Sequence, residues 1–257
     1  MYWLEVDIGM NGKGKQTLRL DKILSHMGVG SRSELKKMVK QGRIRVDGKP
    51  VKDSGVQVNP DVNVIEADGE RIVYREMIYL MLHKPPGVVS ATEDNRDKTV
   101  IDLLRKEDRV FDPFPVGRLD KDTEGLLILT NDGPLAHDLL SPRKHVPKTY
   151  EARVLGNVDE EDVQRFKAGI QLDDGYETLP AELTVLHREE TEEGVFSSVS
   201  LIIHEGKFHQ VKRMFQAIGK RVVYLKRVAM GDLELDANLE IGSYRELTAE
   251  ELNLLRK

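Results

Sequence analysis

The chain of 257 residues contains no cysteine, which excludes disulfides, thiolate metal ligands and a cysteine nucleophile. Apolar runs are no longer than a strand, such as residues 126–129, and a membrane helix requires roughly 18 apolar residues or more. The first 15 residues carry Glu5 and Asp7 and have no uninterrupted apolar stretch, which is unlike a secretory signal. We therefore expect a cytoplasmic protein that does not insert into a membrane.

Metal-binding and cofactor motifs are also missing from the sequence. The seven histidines form no H-E-x-x-H pattern, and His204 and His209 are five residues apart, which is not a favoured spacing for two ligands on one helix. No glycine-rich phosphate loop is present. The sequence therefore predicts neither a metal site nor a cofactor.

Basic residues are concentrated near the N-terminus, although the net charge of the chain is −5. Residues 19–52 hold ten lysines and arginines against three acidic residues, so the rest of the chain is acidic. A solvated helix face would account for some of these charges. Because they fall on one predicted helix and the hairpin directly after it, an RNA-binding surface is the favoured interpretation.

The residues that follow position 17 show the pattern of a small α/β module. Apolar residues recur at helical spacing over 20–27, and Ser31 with Glu34 forms a capping box that predicts a second helix. Alternating apolar residues and the Asp47–Gly48 pair then predict short strands and a hairpin turn. We expect this module to span residues 18–75.

The remainder of the chain is predicted to be an α+β domain of residues 77–253, with residues 1–17 as a flexible, glycine-containing tail. Many strand signals with few intervening helices favour a mostly antiparallel mixed sheet with flanking helices. The predicted strands are 78–82, 126–129, 150–155, 181–186, 198–203 and 245–247, and the predicted helices are 100–104, 134–140, 160–168, 210–218 and 250–255.

A polar loop between Gly117 and Gly125 carries the residues best suited to chemistry. It leads directly into an apolar strand, so a carboxylate such as Asp120 would be fixed at the rim of the core and accessible to substrate. A turn in which the aspartate caps backbone N–H groups is the alternative. Together with Asp122 and Asp132, the loop is also compatible with a cation bound by oxygen ligands, although the spacing is not that of an EF-hand.

Four motifs, in order along the chain, resemble those of bacterial pseudouridine synthases that modify ribosomal RNA. The first is Lys-Pro-Pro-Gly at 84–87, and the second runs from Gly-Arg-Leu-Asp at 117–120 to Thr-Asn-Asp-Gly at 130–133. The third is Lys-Thr-Tyr at 148–150, and the fourth is Glu-Gly-Lys at 205–207 followed by His-Gln-Val-Lys-Arg-Met at 209–214. The resemblance covers about residues 18–250 and implies the pseudouridine synthase fold.

The resemblance implies the roles of several residues. Asp120 would be the essential carboxylate, either as a nucleophile at the ribose anomeric carbon or as a base at the 2′ position. Lys212 would keep that carboxylate ionised, Tyr150 would stack on the target base, and Leu225 would pack beneath it. Arg118 would fill the gap in the RNA or bind a phosphate. The isomerisation requires no cofactor.

The N-terminal segment resembles the RNA-binding module named after ribosomal protein S-four, through residues 19–22, 30–33 and 42–48. Such a module implies structured RNA as a partner rather than a particular reaction. A basic wall around the cleft is also expected, formed by Lys207, Lys212, Arg213, Lys220, Arg221, Lys226 and Arg227. The predicted RNA contacts outside the catalytic residues are Arg118, Leu225, Lys207, Arg213, Arg19, Arg32, Lys36, Arg43 and Arg45.

Residues 78–101 most resemble the small-subunit branch, which implies 16S rRNA, or a small-subunit assembly particle, as substrate and the family site uridine 516 as target. A synthase acting on 23S rRNA is the alternative within the class, and a non-catalytic RNA-binding assembly factor is the alternative outside it. A glycoside hydrolase is a third possibility, since it needs two carboxylates, but it would leave the RNA-binding module unexplained. We expect a monomer.

Overall fold

The computed structural model describes residues 17–256, which divide into two compact units. One unit holds the residues up to 78 together with 104–113, and the other holds 79–103 and the chain from 114 onward. Residues 1–16 of the predicted N-terminal tail, 1–17, lie outside the described residues. Within residues 17–256, no helix combines the length and hydropathy needed to cross a membrane.

Two helices and six short strands form most of the first unit. A four-stranded antiparallel sheet in the order β3-β2-β5-β6 shares one apolar core with helices α1 and α2, while β1 pairs with β4. Ser31 and Glu34 form the predicted capping box at the start of α2. The elements are β1 Leu18–Arg19, α1 Leu20–His26, α2 Arg32–Lys40, β2 Ile44–Val46, β3 Lys49–Pro50, β4 Gln57–Val58, β5 Ile65–Ala67 and β6 Glu70–Ile72.

A second stretch of chain, residues 104–113, belongs to this first unit and contains the short helix α3, Lys106–Arg109. The Phe111 ring meets the His26 ring edge-on at 5.3 Å between centroids, and the Arg75 guanidinium lies 5.3 Å from the Phe111 centroid. This packing was not predicted, because it depends on contacts between residues about 80 positions apart that local periodicity does not reveal.

The second unit is built on a nine-stranded sheet. Its main path runs β11-β12-β10-β13-β9-β7-β15, with β8 paired to β9 and β14 to β13. The strands are β7 Tyr79–Lys84, β8 Phe114–Pro115, β9 Glu124–Thr130, β10 Lys148–Leu155, β11 Glu182–Thr191, β12 Gly194–Ile203, β13 Arg221–Met230, β14 Leu233–Glu234 and β15 Tyr244–Glu246. The helices are α4 Gly133–Leu140, α5 Glu160–Ala168, α6 Gln210–Ala217 and α7 Ala249–Leu255.

The prediction of a mostly antiparallel mixed sheet with flanking helices is confirmed: among these strand pairs only β9 and β13 run parallel. One local prediction was wrong, since residues 100–104 contain a 3₁₀ turn at Ile101–Leu103 rather than an α-helix. The ten-residue strand β13 and the short strands β8 and β14 were not predicted. Alternate residues of β13 from Leu225 to Ala229 are buried, but Arg227 is one of them, and its charge hides the apolar pattern.

Gly125 permits the parallel contact between β9 and β13. Its φ is +108°, and a Cβ atom there would lie 2.2 Å from the backbone oxygen of Arg227. Four fully buried residues of β9, Leu126, Leu127, Ile128 and Leu129, follow it and anchor the strand in the core. The loop that carries Asp120 therefore ends at a position that only glycine can occupy without backbone movement.

We expect Gly125→Ala to lower the free energy of unfolding by about 3 kcal/mol, because backbone strain and overpacking add at one position. Denaturant unfolding of the purified variant measures this. Gly133→Ala is the matched control, since Gly133 has open space around its Cβ position and begins α4. The control should be neutral or slightly stabilising, and equal stability of the two variants would contradict the close-approach explanation.

Candidate active site

The loop before β9 holds Asp120 through several hydrogen bonds, of which those of Ser90 are buried. Ser90 Oγ donates to the Leu119 carbonyl at 2.9 Å and accepts from the Leu119 N–H at 3.1 Å. The Thr123 N–H donates to the Asp120 carbonyl at 3.0 Å, and the Gly87 N–H donates to the Lys121 carbonyl at 2.7 Å. The first motif, at residues 84–87, and the nearby Ser90 thus hold in place the loop of the second motif, which carries Asp120.

Lys84, at the end of β7, is the central element of this support. It is completely buried, and its ammonium donates to the carbonyls of Pro85 at 2.9 Å, Thr123 at 2.9 Å and Lys121 at 3.3 Å. Burial lowers the pKa of Lys84 to about 8, partly offset by the charges of nearby Asp122 and Asp120. Lys84 belongs to the first sequence motif, but its role at the loop was not predicted, because a buried lysine is rare and no local pattern marks one.

The lowered pKa of Lys84 makes its contribution to stability depend on pH. The unfolded chain, with a lysine pKa of about 10.4, binds more protons than the folded chain above pH 8, so Lys84 contributes increasingly to stability from about pH 8 to 10.4. We expect the stability of the parent relative to Lys84→Met to rise over that range, by up to about 1.4 kcal/mol per pH unit. Chemical denaturation at several pH values measures the difference. The stability difference between the parent and Lys98→Met, a substitution at an exposed site, should not change with pH. A stability difference that is equally independent of pH for Lys84→Met would refute the prediction.

Asp120 faces a lysine from the first turn of α6. Lys212 Nζ lies 2.9 Å from Asp120 Oδ2 and 2.5 Å from Asp122 Oδ1, so one cation serves two carboxylates. Burial opposes the charge on Lys212, but hydrogen bonds from it to Asp122 and Asp120 outweigh this and raise its pKa. The hydrogen bond from Lys212 lowers the pKa of Asp122. His209 Nε2 lies 3.6 Å from Asp120 Oδ1.

Helix α6 is fixed so that Lys212 reaches the loop. Met214 and Phe215 are fully buried on the helix, and the buried Gln210 at its start ties it to the preceding segment. Gln210 Oε1 accepts from the Lys207 N–H at 2.9 Å, while its Nε2 donates to Glu205 Oε1 at 3.0 Å. The fourth motif is thus both an anchor for the helix and the source of the cation.

Tyr150 and Leu225 lie on neighbouring strands, β10 and β13, and are nearly buried. Tyr150 is in register with Arg227, and Ala152 with Leu225, so these side chains share one face of the sheet. The strand β13 also pairs with β9 directly after the Asp120 loop, at Gly125. The topology therefore places the predicted stacking and packing residues in the same sheet as β9, the strand that follows the Asp120 loop.

Several of the basic residues predicted around the cleft have structural partners. Arg213 forms ion pairs with Asp173 and Asp174, and Lys207 Nζ lies 4.4 Å from the centroid of the Tyr176 ring. Lys220 pairs with the buried Asp162, and Arg227 is buried with its Nε donating to the Leu126 carbonyl. Arg118 and Arg221 are exposed, and Lys226 is partly exposed. The basic surface of this unit is thus smaller than the sequence indicated.

The basic side chains of the first unit divide into two groups. Arg19 pairs with the buried Asp21 and Arg43 with Asp68, so both also have structural roles while remaining partly exposed. The side chains of Arg32, Lys36 and Arg45 are exposed. Across residues 17–256, no group of three or more histidine and acidic side chains is arranged to hold a metal ion.

Comparison with known proteins adds independent evidence. The family model described as RNA pseudouridylate synthase matches residues 78–217, and that of the S4 domain matches residues 18–64. A crystal structure of a pseudouridylate synthase superposes with a TM-score of 0.63 at 35% sequence identity, covering 93% of this chain and 99% of that one.

Three curated relatives cover 93% of this chain. An RNA pseudouridine synthase of Bacillus subtilis named YtzG, described as uncharacterized, is 52% identical over 99% of its length. Ribosomal large subunit pseudouridine synthase B of the same organism is 40% identical over 95%, and ribosomal small subunit pseudouridine synthase A of Vibrio vulnificus is 38% identical over 100%. On this evidence the chain belongs to the RNA pseudouridine synthases, a family of isomerases, and carries an N-terminal S4 domain.

Proposed function

We propose that this protein converts one uridine of 16S rRNA, the family site uridine 516, to pseudouridine. The observation that carries the proposal is the pairing of Asp120 with Lys212 at 2.9 Å on a loop immobilised by buried hydrogen bonds. The relatives include enzymes of both ribosomal subunits, which supports rRNA as the substrate class. The small-subunit assignment rests on the resemblance of residues 78–101.

The reaction breaks the bond between N1 of the base and C1′ of the ribose and forms a bond from C5 to C1′. Overall, the proton on C5 is replaced by one on N1, so no oxidant or reductant is consumed. Asp120 acts either by attacking C1′ or by removing the 2′ proton, and both roles require an ionised carboxylate within reach of the ribose. Lys212 stabilises that ionised form, and no cofactor takes part.

The target base has to leave its stack to reach Asp120, which costs least in loops or partly folded RNA. Tyr150 then stacks on the uracil with its hydroxyl near C5, and Leu225 packs against the base. Arg118 and Lys207 bind nearby phosphates, while Arg213 supports the site through its pairing with Asp173.

The S4 domain supplies further affinity for RNA. Arg19, Arg32, Lys36, Arg43 and Arg45 form phosphate contacts, which are independent of sequence and weaken as salt is added. We assign RNA binding to residues 18–75 and catalysis to residues 77–253. The protein acts as a cytoplasmic monomer on 16S rRNA or on the assembling small subunit.

The function is tested by incubating the protein with 16S rRNA, 23S rRNA and small-subunit assembly particles that lack modification. Carbodiimide labelling followed by reverse transcription maps pseudouridine as stops. We expect a single new stop in 16S rRNA, dependent on Asp120. A stop in 23S rRNA would overturn the target, and salt-sensitive binding without any stop would favour a non-catalytic assembly factor. Asp138→Asn, at an exposed aspartate of α4, is the matched control.

A further inference from the structure

Two stacked rings stand beside the Asp120 carboxylate. The Phe208 side chain is 77% exposed, more than any other large apolar residue among those described. Its ring lies on the His209 ring, with centroids 3.8 Å apart and planes 20° from parallel. Since His209 Nε2 is 3.6 Å from Asp120 Oδ1, this flat surface begins at the carboxylate and ends in solvent.

The backbone holds this pair of rings in place. His209 has a left-handed conformation, with φ +48° and ψ 33°, which is uncommon for a residue other than glycine and clusters at functional sites. The Phe208 carbonyl accepts from Arg213 Nη1 at 3.3 Å, and the His209 carbonyl accepts from the Arg213 N–H at 3.0 Å. Hydrogen bonds therefore hold the backbone on which Phe208 is exposed.

The surroundings of Phe208 indicate what covers it. Its exposed neighbours in the chain are Lys207 and His209, and the half-buried Lys212 follows one turn into α6, whereas Gln210 and Val211 are buried. The exposed residues next to the ring in the chain are therefore polar or basic and offer no apolar surface to a protein partner. A nucleotide fits better, because its base offers a flat π face and its phosphate offers a negative charge.

The target uracil is assigned to Tyr150 and Leu225, so the ring pair is available for a different base. We propose that Phe208, supported from below by His209, stacks on the base of the nucleotide next to the target uridine. The platform would hold the flanking RNA while the target base is turned out, and would thereby contribute to the choice of site. This inference rests on the proposed function and adds a specificity-determining contact to it.

The first test compares three substitutions at Phe208 under single-turnover conditions with an RNA fragment that contains the mapped uridine. We expect Phe208→Ala to lower kcat/KM by about 5- to 100-fold, the range for loss of one base–aromatic stack. Phe208→Tyr should retain most activity because it can still stack, and Phe208→Leu should resemble the alanine variant. Leu186→Ala removes another exposed apolar side chain, 58% exposed on β11, and should equal the parent. Parent-like kcat/KM for Phe208→Ala would overturn the proposal.

The second test identifies which flanking base stacks on Phe208, by measuring whether the loss of a base and the loss of the ring have independent effects. RNA fragments with an abasic residue on the 5′ or the 3′ side of the target are compared with the intact fragment. One of the two abasic fragments should slow the parent protein about as much as Phe208→Ala does, and should slow the Phe208→Ala variant no further. Purely multiplicative losses for both fragments would show that Phe208 contacts neither flanking base.

A binding readout separates failure of the platform from failure of the proposed function. Trp3 is the only tryptophan of the chain, so Trp3→Phe with Phe208→Trp gives a single reporter at the platform, and Asp120→Asn is added to prevent turnover. Saturation with 16S or 23S rRNA fragments, monitored by anisotropy of labelled RNA, should quench the tryptophan. Quenching with no modification by the parent would reject the proposed reaction and retain the platform. Saturation without quenching would reject the platform whatever the activity.

Discussion

Asp120→Asn is expected to abolish pseudouridine formation while RNA binding persists. The carboxylate is needed as nucleophile or base, and loss of such a group lowers turnover by about 10⁴-fold or more. The amide has the same shape, and the backbone bond from Thr123 N–H to the Asp120 carbonyl does not involve the side chain. The loop should therefore keep its position, and Lys212 keeps a carboxylate partner in Asp122.

Two measurements establish that result for the Asp120→Asn variant. Single-turnover assays with mapped rRNA give the rate, and filter binding over a range of salt concentrations gives affinity. Asp120→Ala guards against slow deamidation of the asparagine, which would restore traces of active protein. Turnover within tenfold of the parent in both variants would exclude Asp120 as the essential carboxylate and would direct attention to Asp122, which also contacts Lys212.

Much of the fold could be predicted from local patterns. The capping box at Ser31 and Glu34 marked the start of α2, and the unbroken apolar run at 126–129 marked the buried strand β9. The strand β13 escaped because its buried positions include Arg227, whose polarity masks a period-2 pattern that is present in the burial. Local periodicity reports which face is buried only when the buried side chains are apolar.

Less of the candidate site than of the fold could be predicted from local sequence patterns. Asp120 and Lys212 are 92 positions apart, and only the family resemblance indicated that they meet. Neither periodicity nor the resemblance indicated that Lys84 donates to three carbonyls around the loop, or that Phe208 stacks on His209. These features depend on tertiary contacts and on polar groups in unusual environments, which composition and spacing do not encode.

Lys212→Met is expected to lower turnover by about 10²- to 10³-fold, because two neighbouring carboxylates lose the cation between them. Lys212 holds the pKa of Asp122 below its usual range, so removing it raises that pKa. Without the cation, the negative charges of Asp120 and Asp122 also repel each other, which should displace the Asp120 carboxylate from its position. Single-turnover assays with mapped rRNA measure the loss of rate.

A second substitution separates charge repulsion from loss of the lysine itself. In the double variant Lys212→Met with Asp122→Asn, the remaining Asp120 carboxylate has no negative neighbour at that position, so about tenfold of the lost rate should return. Lys212→Arg should retain more activity than Lys212→Met because it keeps the charge. Single-turnover rates of these variants, measured at the same pH, distinguish the two explanations. If the double variant is no faster than Lys212→Met, the role of Lys212 is direct contact with the substrate rather than control of the carboxylate pair.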